Sequence, residues 1–239
     1  MQAVTTAMVL AAGLGVRMQP LTLTRPKPLV EAAGKALIDH GIEKLRAAGV
    51  KRAVVNVHYL ADQIEAWAKR QRGIEIAISD ERRELLDTGG GIRNALPLLR
   101  GTPFFVLNSD SFWQDGKIPA LDRLNQHWNG DEMDCLLLLT PLERTVGYDG
   151  KGDFTIGVDG RLQRKSAGSG TAYAYSGAYL VKPELFAGSP HGKFSMNLLW
   201  DRAISQGRLF GIEHDGLWLH VGTPEAIGLA EAALAGQPA

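Results

Sequence analysis

The chain has 239 residues, of which 45% are apolar, and its 26 Lys+Arg balance 26 Asp+Glu. That supports a sizeable core in one large α/β domain or two small ones. Zero net charge argues against a nucleic-acid partner, whose phosphates call for a basic excess.

Short apolar runs near residues 7–11, 53–57, 74–78, 104–107 and 135–139 lack helical periodicity and predict strands buried on both faces. Between them lie helical stripes. Leu37, Ile38, Ile42 and Leu45 share one face and Gly49 ends it; Leu60, Ile64, Trp67 and Ala68 form a second. Ile92, Ala95, Leu96 and Leu99 form a third, and Ile118, Leu121, Leu124 and Trp128 a fourth. This alternation predicts a mostly parallel sheet with helices on both sides, a three-layer α/β/α architecture. The one cysteine, Cys135, sits inside an apolar run and reads as a buried small hydrophobe. No disulfide can form within the chain. No apolar run nears the roughly 20 residues that cross a bilayer. The N-terminus has no basic leader, so a cytoplasmic protein without a membrane partner is expected.

After Thr140 the rhythm changes. Residues 147–152 look like a loop, and Asp159-Gly160 predicts a hairpin turn between runs at 154–158 and 161–164. A longer strand is expected over 171–181. A helix face follows at Met196, Leu199, Trp200, Ala203 and Ile204. Strands are expected at 209–212 and 217–221, and a closing helix begins at Pro224. This part reads as a small β-rich lid fused to the sheet, within a single domain spanning 1–239.

Ligands of open parallel sheets bind beyond the carboxyl ends of the strands, and the unusual residues stand there. The first run leads into Leu10, Ala11, Ala12, Gly13, Leu14, Gly15, Val16 and Arg17. Glycines let backbone N–H groups approach phosphate oxygens, and Arg17 adds a planar cation. Lys27 lies between Pro26 and Pro28, which stiffen its backbone. A dinucleotide fingerprint would want a third glycine where Met18 stands, and an acid near Asn56 and His58. A Walker A loop would end in Gly-Lys-Ser/Thr. Neither pattern is met. The hydrophobic run 104–107 leads to Asp110, a carboxylate facing the crevice that suits Mg²⁺. Asp87, Thr88, Gly89, Gly90 and Gly91 precede a helix face, where a flat base can approach the backbone.

The run from Leu10 through Arg17 to Thr22, with Pro26-Lys27-Pro28-Leu29-Val30, closely resembles the signature of the sugar-1-phosphate nucleotidylyltransferases. The resemblance extends through nearly the whole chain. The short length, the Asp87–Gly91 segment and the ending Val221-Gly222-Thr223-Pro224-Glu225 look most like the bacterial N-acetylmuramate α-1-phosphate uridylyltransferases. Compact mannose-1-phosphate guanylyltransferase-like proteins are close relatives. The resemblance implies a nucleotide-binding part over 1–140 and a sugar-binding part over 141–239. The substrates would be a nucleoside triphosphate and a sugar-1-phosphate. Arg17, Lys27 and Asp110 would be catalytic. Leu10, Ala11, Ala12, Gly13, Gly15, Lys27, Glu81, Thr88, Gly89 and Gly90 would bind nucleotide, and Asp153, Gly177 and Asn197 sugar.

Three departures stand out. Ser109 replaces the usual glycine before Asp110. Gln163-Arg164-Lys165 stands where a Glu-Lys-Pro element is common. His220 replaces the aspartate that usually gives Mg²⁺ its second carboxylate. Three readings of His220 stay open. Asp110 with phosphates and water can suffice for Mg²⁺. His220 can bind a phosphate or favour Mn²⁺, as imidazole suits softer ions. Or the site binds a nucleotide sugar without turnover. Asp201, Asp215 and Glu225 are candidate substitute carboxylates. The remaining histidines show no ligand spacing and read as structural.

Overall fold

The computed structural model describes residues 4–100, 103–166, 168 and 170–236. The five strands expected in the first half form, with helices between them, and three short strands that the rhythm does not mark, Glu31–Ala32, Lys35–Ala36 and Ser111–Trp113, are added. The first half runs β1 (Thr6–Leu10), β2 (Glu31–Ala32), β3 (Lys35–Ala36), α1 (Leu37–Ala47), β4 (Arg52–Val57), α2 (Ala61–Ala68) and β5 (Glu75–Asp80). Then come α3 (Asp87–Ala95), β6 (Phe104–Asn108), β7 (Ser111–Trp113), α4 (Ala120–His127) and β8 (Cys135–Pro141). The second half holds β9 (Thr145–Val146), β10 (Phe154–Ile156), β11 (Leu162–Arg164) and β12 (Tyr173–Val181). It closes with α5 (Asn197–Ser205), β13 (Leu209–Glu213), β14 (Trp218–His220) and α6 (Pro224–Leu234). The helix expected from Ile118 begins later, because Pro119, with a non-helical ψ of 133°, caps it and Ile118 stays exposed.

Among the described residues the main sheet has nine strands, with β11-β10-β12-β6-β1-β4-β5 as its path and β8 and β13 beyond β12. Pairing is parallel from β5 through β4 and β1 to β6, and antiparallel where β12 meets β6 and β8. The sheet is therefore mixed, and β8 is not the direct neighbour of β6. The segment expected to form a lid supplies β12, an interior strand. It can do so because β12 is buried on both faces from Ser176 to Val181, with the Ser176 hydroxyl sharing a hydrogen bond with that of Thr140.

Successive strand residues point to opposite faces, so each strand feeds two cores. Ala7 and Val9 pack with Ile38, Ile42, Ile64, Trp67 and Leu124 of α1, α2 and α4. Met8 packs on the other face with Ile92, Leu199, Trp200 and Ala203 of α3 and α5. These are the outer layers of the three-layer fold. A third, smaller core lies beside β14, which pairs with β7 and β9; it joins Met18, Val30, Phe112, Leu219 and Val221 to Ala230 of α6.

This order places the site. From β1 the chain crosses to β4 and β5 on one side and returns to β6 on the other. The loops leaving β1 and β6 start side by side, since Leu10 is in register with Asn108, and they open a crevice between them.

Candidate active site

Two loops from the paired strand ends carry the central groups. Ser109 donates its hydroxyl to the Leu10 carbonyl at 2.6 Å, tying the end of β6 to the end of β1. Asp110 follows. Lys27 opens a short 3₁₀ turn after Pro26, whose backbone is extended. Its Nζ donates to Asp110 Oδ2 at 2.9 Å. Gly15 adopts φ +66°, and a Cβ there would stand 3.0 Å from both Lys27 Cβ and Thr22 Cγ2. Glycine thus lets the loop pass close behind the lysine. By contrast, a Cβ on Gly13 would meet nothing within 4 Å.

Asp110 sits among cations. Burial alone would raise its pKa, but Lys27, then His220 and Arg17, outweigh it and hold the carboxyl below its ordinary value. His220 stands beside Asp110 because Ser111 is in register with His220, and the Val221 N–H bonds to the Asp110 carbonyl at 3.0 Å. Burial lowers the His220 pKa; Asp110 opposes this, while Lys27 and Arg17 add to it. Lys27 and Asp110 line a cleft of about 420 Å³. Arg17 and His220 line a different cavity, about 410 Å³, with Tyr148, Asp149 and Gly222. The expected catalytic groups therefore converge around Asp110, but from two cavities.

The 420 Å³ cleft is walled by Leu10, Ala11, Ala12, Gly13, Glu81 and Thr88, which brings together six of the residues the sequence marks as nucleotide-binding candidates. Several polar groups are already engaged. The Ala11 N–H donates to Asn56 Oδ1 at 2.7 Å, and Asn56 Nδ2 donates to Glu81 Oε1 at 2.7 Å. The other Glu81 oxygen accepts the Leu86 N–H at 3.1 Å. Asn56 and Glu81 thus fix the loop after β1. Gly89 and Gly90 differ from expectation. Both N–H groups donate to the Phe194 carbonyl, at 2.9 and 3.0 Å, and their Cα atoms pack on Phe194 and Gly192. They join α3 to the 192–194 segment instead of lying open to a base. Thr88 holds the same junction, accepting the Met196 N–H at 2.8 Å. Lys193 also lines the cleft, and no sequence motif marks it.

Leu10, Thr88 and Asn108 also line a second hollow of about 250 Å³, which continues the cleft toward β10–β12. Asp153 and Asn197, two of the residues the sequence marks as sugar-binding candidates, line it. Asp153 Oδ2 accepts from the Tyr148 hydroxyl at 3.1 Å and the Tyr175 N–H at 2.8 Å. Arg164 lines this hollow too. Gly177 does not line it. It has φ +78°, and a Cβ would come within 2.6 Å of Ser111 Oγ. It marks the register shift of β12 between Tyr175 and Tyr179, so its need for glycine comes from packing.

A family model for nucleotidyl transferases matches residues 6–236. The chain belongs to the nucleotidyl transferase family. The N-acetylmuramate alpha-1-phosphate uridylyltransferase of Caulobacter vibrioides is 48% identical over 98% of this chain and 98% of its own. The protein of that name from Neisseria meningitidis serogroup B is 36% identical over 91% of this chain and 93% of its own. The structure of HddC from Yersinia pseudotuberculosis complexed with GMP-PN has a TM-score of 0.77 at 24% identity, covering 96% of this chain and 99% of that one. At that identity the likeness shows the fold.

In this nucleotidyl transferase two of the three candidate substitute carboxylates are engaged elsewhere, and the third shares the cavity of Arg17 and His220. Asp215 pairs with Arg123, Asp201 with Arg164, and Glu225 lines the Arg17 cavity. Among the described residues no group of three His, Cys, Asp or Glu is arranged to hold a metal ion by protein ligands alone. One carboxylate in an open cleft fits Mg²⁺, which commonly takes one or two carboxylates and completes its shell with phosphate and water. The other histidines are bonded within the fold: His40 to the Ala32 carbonyl, His58 to that of Glu81, His127 to that of Arg123 and His214 to that of Gln114. His191 meets Arg93. Cys135 is buried. No helix among the described residues is long and apolar enough to cross a membrane.

Proposed function

We propose that this protein transfers a uridylyl group from UTP to N-acetylmuramate 1-phosphate, giving UDP-N-acetylmuramate and pyrophosphate. The observation that carries this is the continuous cleft from Gly13 to Asn197 with the Lys27–Asp110 pair along its wall. The choice of substrates rests on two relatives that share the name and match nearly end to end.

The nucleotide lies along Leu10, Ala11, Ala12, Gly13 and Thr88, with Glu81 acting through Asn56 on the loop. The sugar lies against Asp153 and Asn197. An oxygen of the sugar phosphate attacks the α-phosphorus as the bond to the β-phosphate breaks. The nucleophile is already an anion, so no general base is needed. Lys27 neutralises charge where the two phosphates meet, and Arg17 takes the outer phosphates. Catalysis comes from alignment and charge stabilisation. Asp110 would hold Mg²⁺, or Mn²⁺, with His220 beside it. When bound, such an ion polarises phosphoryl oxygens.

Pyrophosphate release, measured over a panel of triphosphates and sugar-1-phosphates, tests the reading. UTP with N-acetylmuramate 1-phosphate should give the highest kcat/KM. A preference for GTP with mannose 1-phosphate would reject it in favour of a guanylyltransferase. Failure of every pair with either ion would leave a nucleotide-sugar-binding protein.

A further inference from the structure

The sugar end of the cleft contains a guanidinium that a neutral sugar would not require. Arg164 ends β11 and lies across two aromatic faces, 4.7 Å from the Phe154 ring centre and 5.9 Å from that of Trp200. Its Nε donates to Asp201 Oδ1 at 2.7 Å, and Nη2 donates to Asn197 Oδ1 at 2.9 Å. Nη1 makes no hydrogen bond among the described residues. Stacking and two bonds fix the plane of the group, so little rotamer freedom is left to lose when it meets a ligand. The Asp201 side chain is 60% exposed, so water screens its charge and Arg164 keeps a net attraction for an anion. Among the described residues, Arg164 is the only Lys or Arg lining the hollow; the two other charged residues there, Asp87 and Asp153, are acids. The Tyr179 hydroxyl, in the same wall, is buried without a partner among the described residues.

We propose that Arg164 selects the acceptor by binding a carboxylate carried on the sugar itself, distinct from its phosphate. This rests on the activity proposed above. N-acetylmuramate differs from N-acetylglucosamine by a lactyl ether ending in a carboxylate, the group a fixed guanidinium binds with charge-assisted hydrogen bonds. Arg164 is therefore a specificity-determining residue. It plays no part in the phosphoryl chemistry.

The test is a chemical cycle. Wild type and Arg164→Ala are assayed with N-acetylmuramate 1-phosphate, with its lactyl amide, and with N-acetylglucosamine 1-phosphate, all with UTP. Arg164→Ala should lower kcat/KM for the acid about 10- to 100-fold, the range of a charge-assisted hydrogen bond. The loss should appear in the acceptor KM, with the KM for UTP unchanged. Wild type should lose a similar factor when the acid becomes the amide. The variant should hardly distinguish the two. Equal losses by Arg164→Ala on all three acceptors would mean that Arg164 only shapes the hollow, and would overturn the inference. So would a wild type that uses amide and acid equally well, an arm that needs no variant to fold. If wild type uses another acceptor and ignores N-acetylmuramate 1-phosphate, the activity reading fails first and the inference goes with it.

Discussion

Lys27 Nζ reaches Asp110 Oδ2 across 2.9 Å although 83 residues separate the two in the chain. The first comes from a proline-stiffened turn after β1, the second from the end of β6, and the parallel pairing of those strands brings them together. Lys27→Ala and Asp110→Asn should each lower turnover by about 10²–10³, the usual effect of removing one stabiliser of developing charge. Because the groups touch, the double variant should lose much less than the product of the single losses. Steady-state kinetics on folded variants checks both statements, and near-normal turnover in either single variant would remove that residue from the mechanism.

The two glycines of the β1 loop should respond differently. Gly15 has φ +66° and close neighbours, so Gly15→Ala should destabilise the fold by about 1 kcal/mol or more, seen as a lower Tm. Gly13 faces open space, so Gly13→Ala should leave Tm nearly unchanged. Its added methyl enters the cleft, and the KM for the triphosphate should rise. A Gly13→Ala variant with wild-type KM would show that the nucleotide does not pass over this loop.

Glu81 predicts a pH dependence of stability. Burial pushes its carboxyl above the ordinary value of 4.5, against the hydrogen bonds from Asn56 and Leu86. Between 4.5 and the raised value the folded state binds more protons than the unfolded one. Its contribution to stability therefore falls as pH rises through that window and levels off above it. Glu81→Gln removes this titration. Across a pH series of thermal melts, the variant should gain Tm relative to wild type as pH rises above 4.5. Melting curves that stay parallel would show that Glu81 does not titrate differently in the fold.

Metal removal tests the carboxylate–imidazole pair. Chelation should stop turnover and added Mg²⁺ restore it, since Asp110 offers one hard oxygen ligand. His220→Ala should keep more of the Mg²⁺-supported turnover than Asp110→Asn, because imidazole is a poor partner for Mg²⁺. Metal titrations of the two variants decide this. Equal losses would mean that His220 shares the ion.

The hydrophobic rhythm alone marked β1, β4, β5, β6 and β8 and the helices between them, because burial on both faces or on one stripe leaves a period in the chain, whereas the short β2, β3 and β7 leave none. Gly15, the proline-flanked Lys27 and the strand-end Asp110 were legible from local sequence: a left-handed turn calls for glycine, and a charge at a stiffened turn or a strand end stands out from the apolar run before it. What the local pattern could not supply was position in space. Only the tertiary structure put β12 between β6 and β8, turned Gly89 and Gly90 toward Phe194, and gave Gly177 a packing role. It alone gave Ser109 a bond to Leu10 and brought Arg164 into the hollow with Asp153 and Asn197. Those outcomes depend on contacts between segments distant in the chain, and a long-range contact leaves no period in the residues that make it.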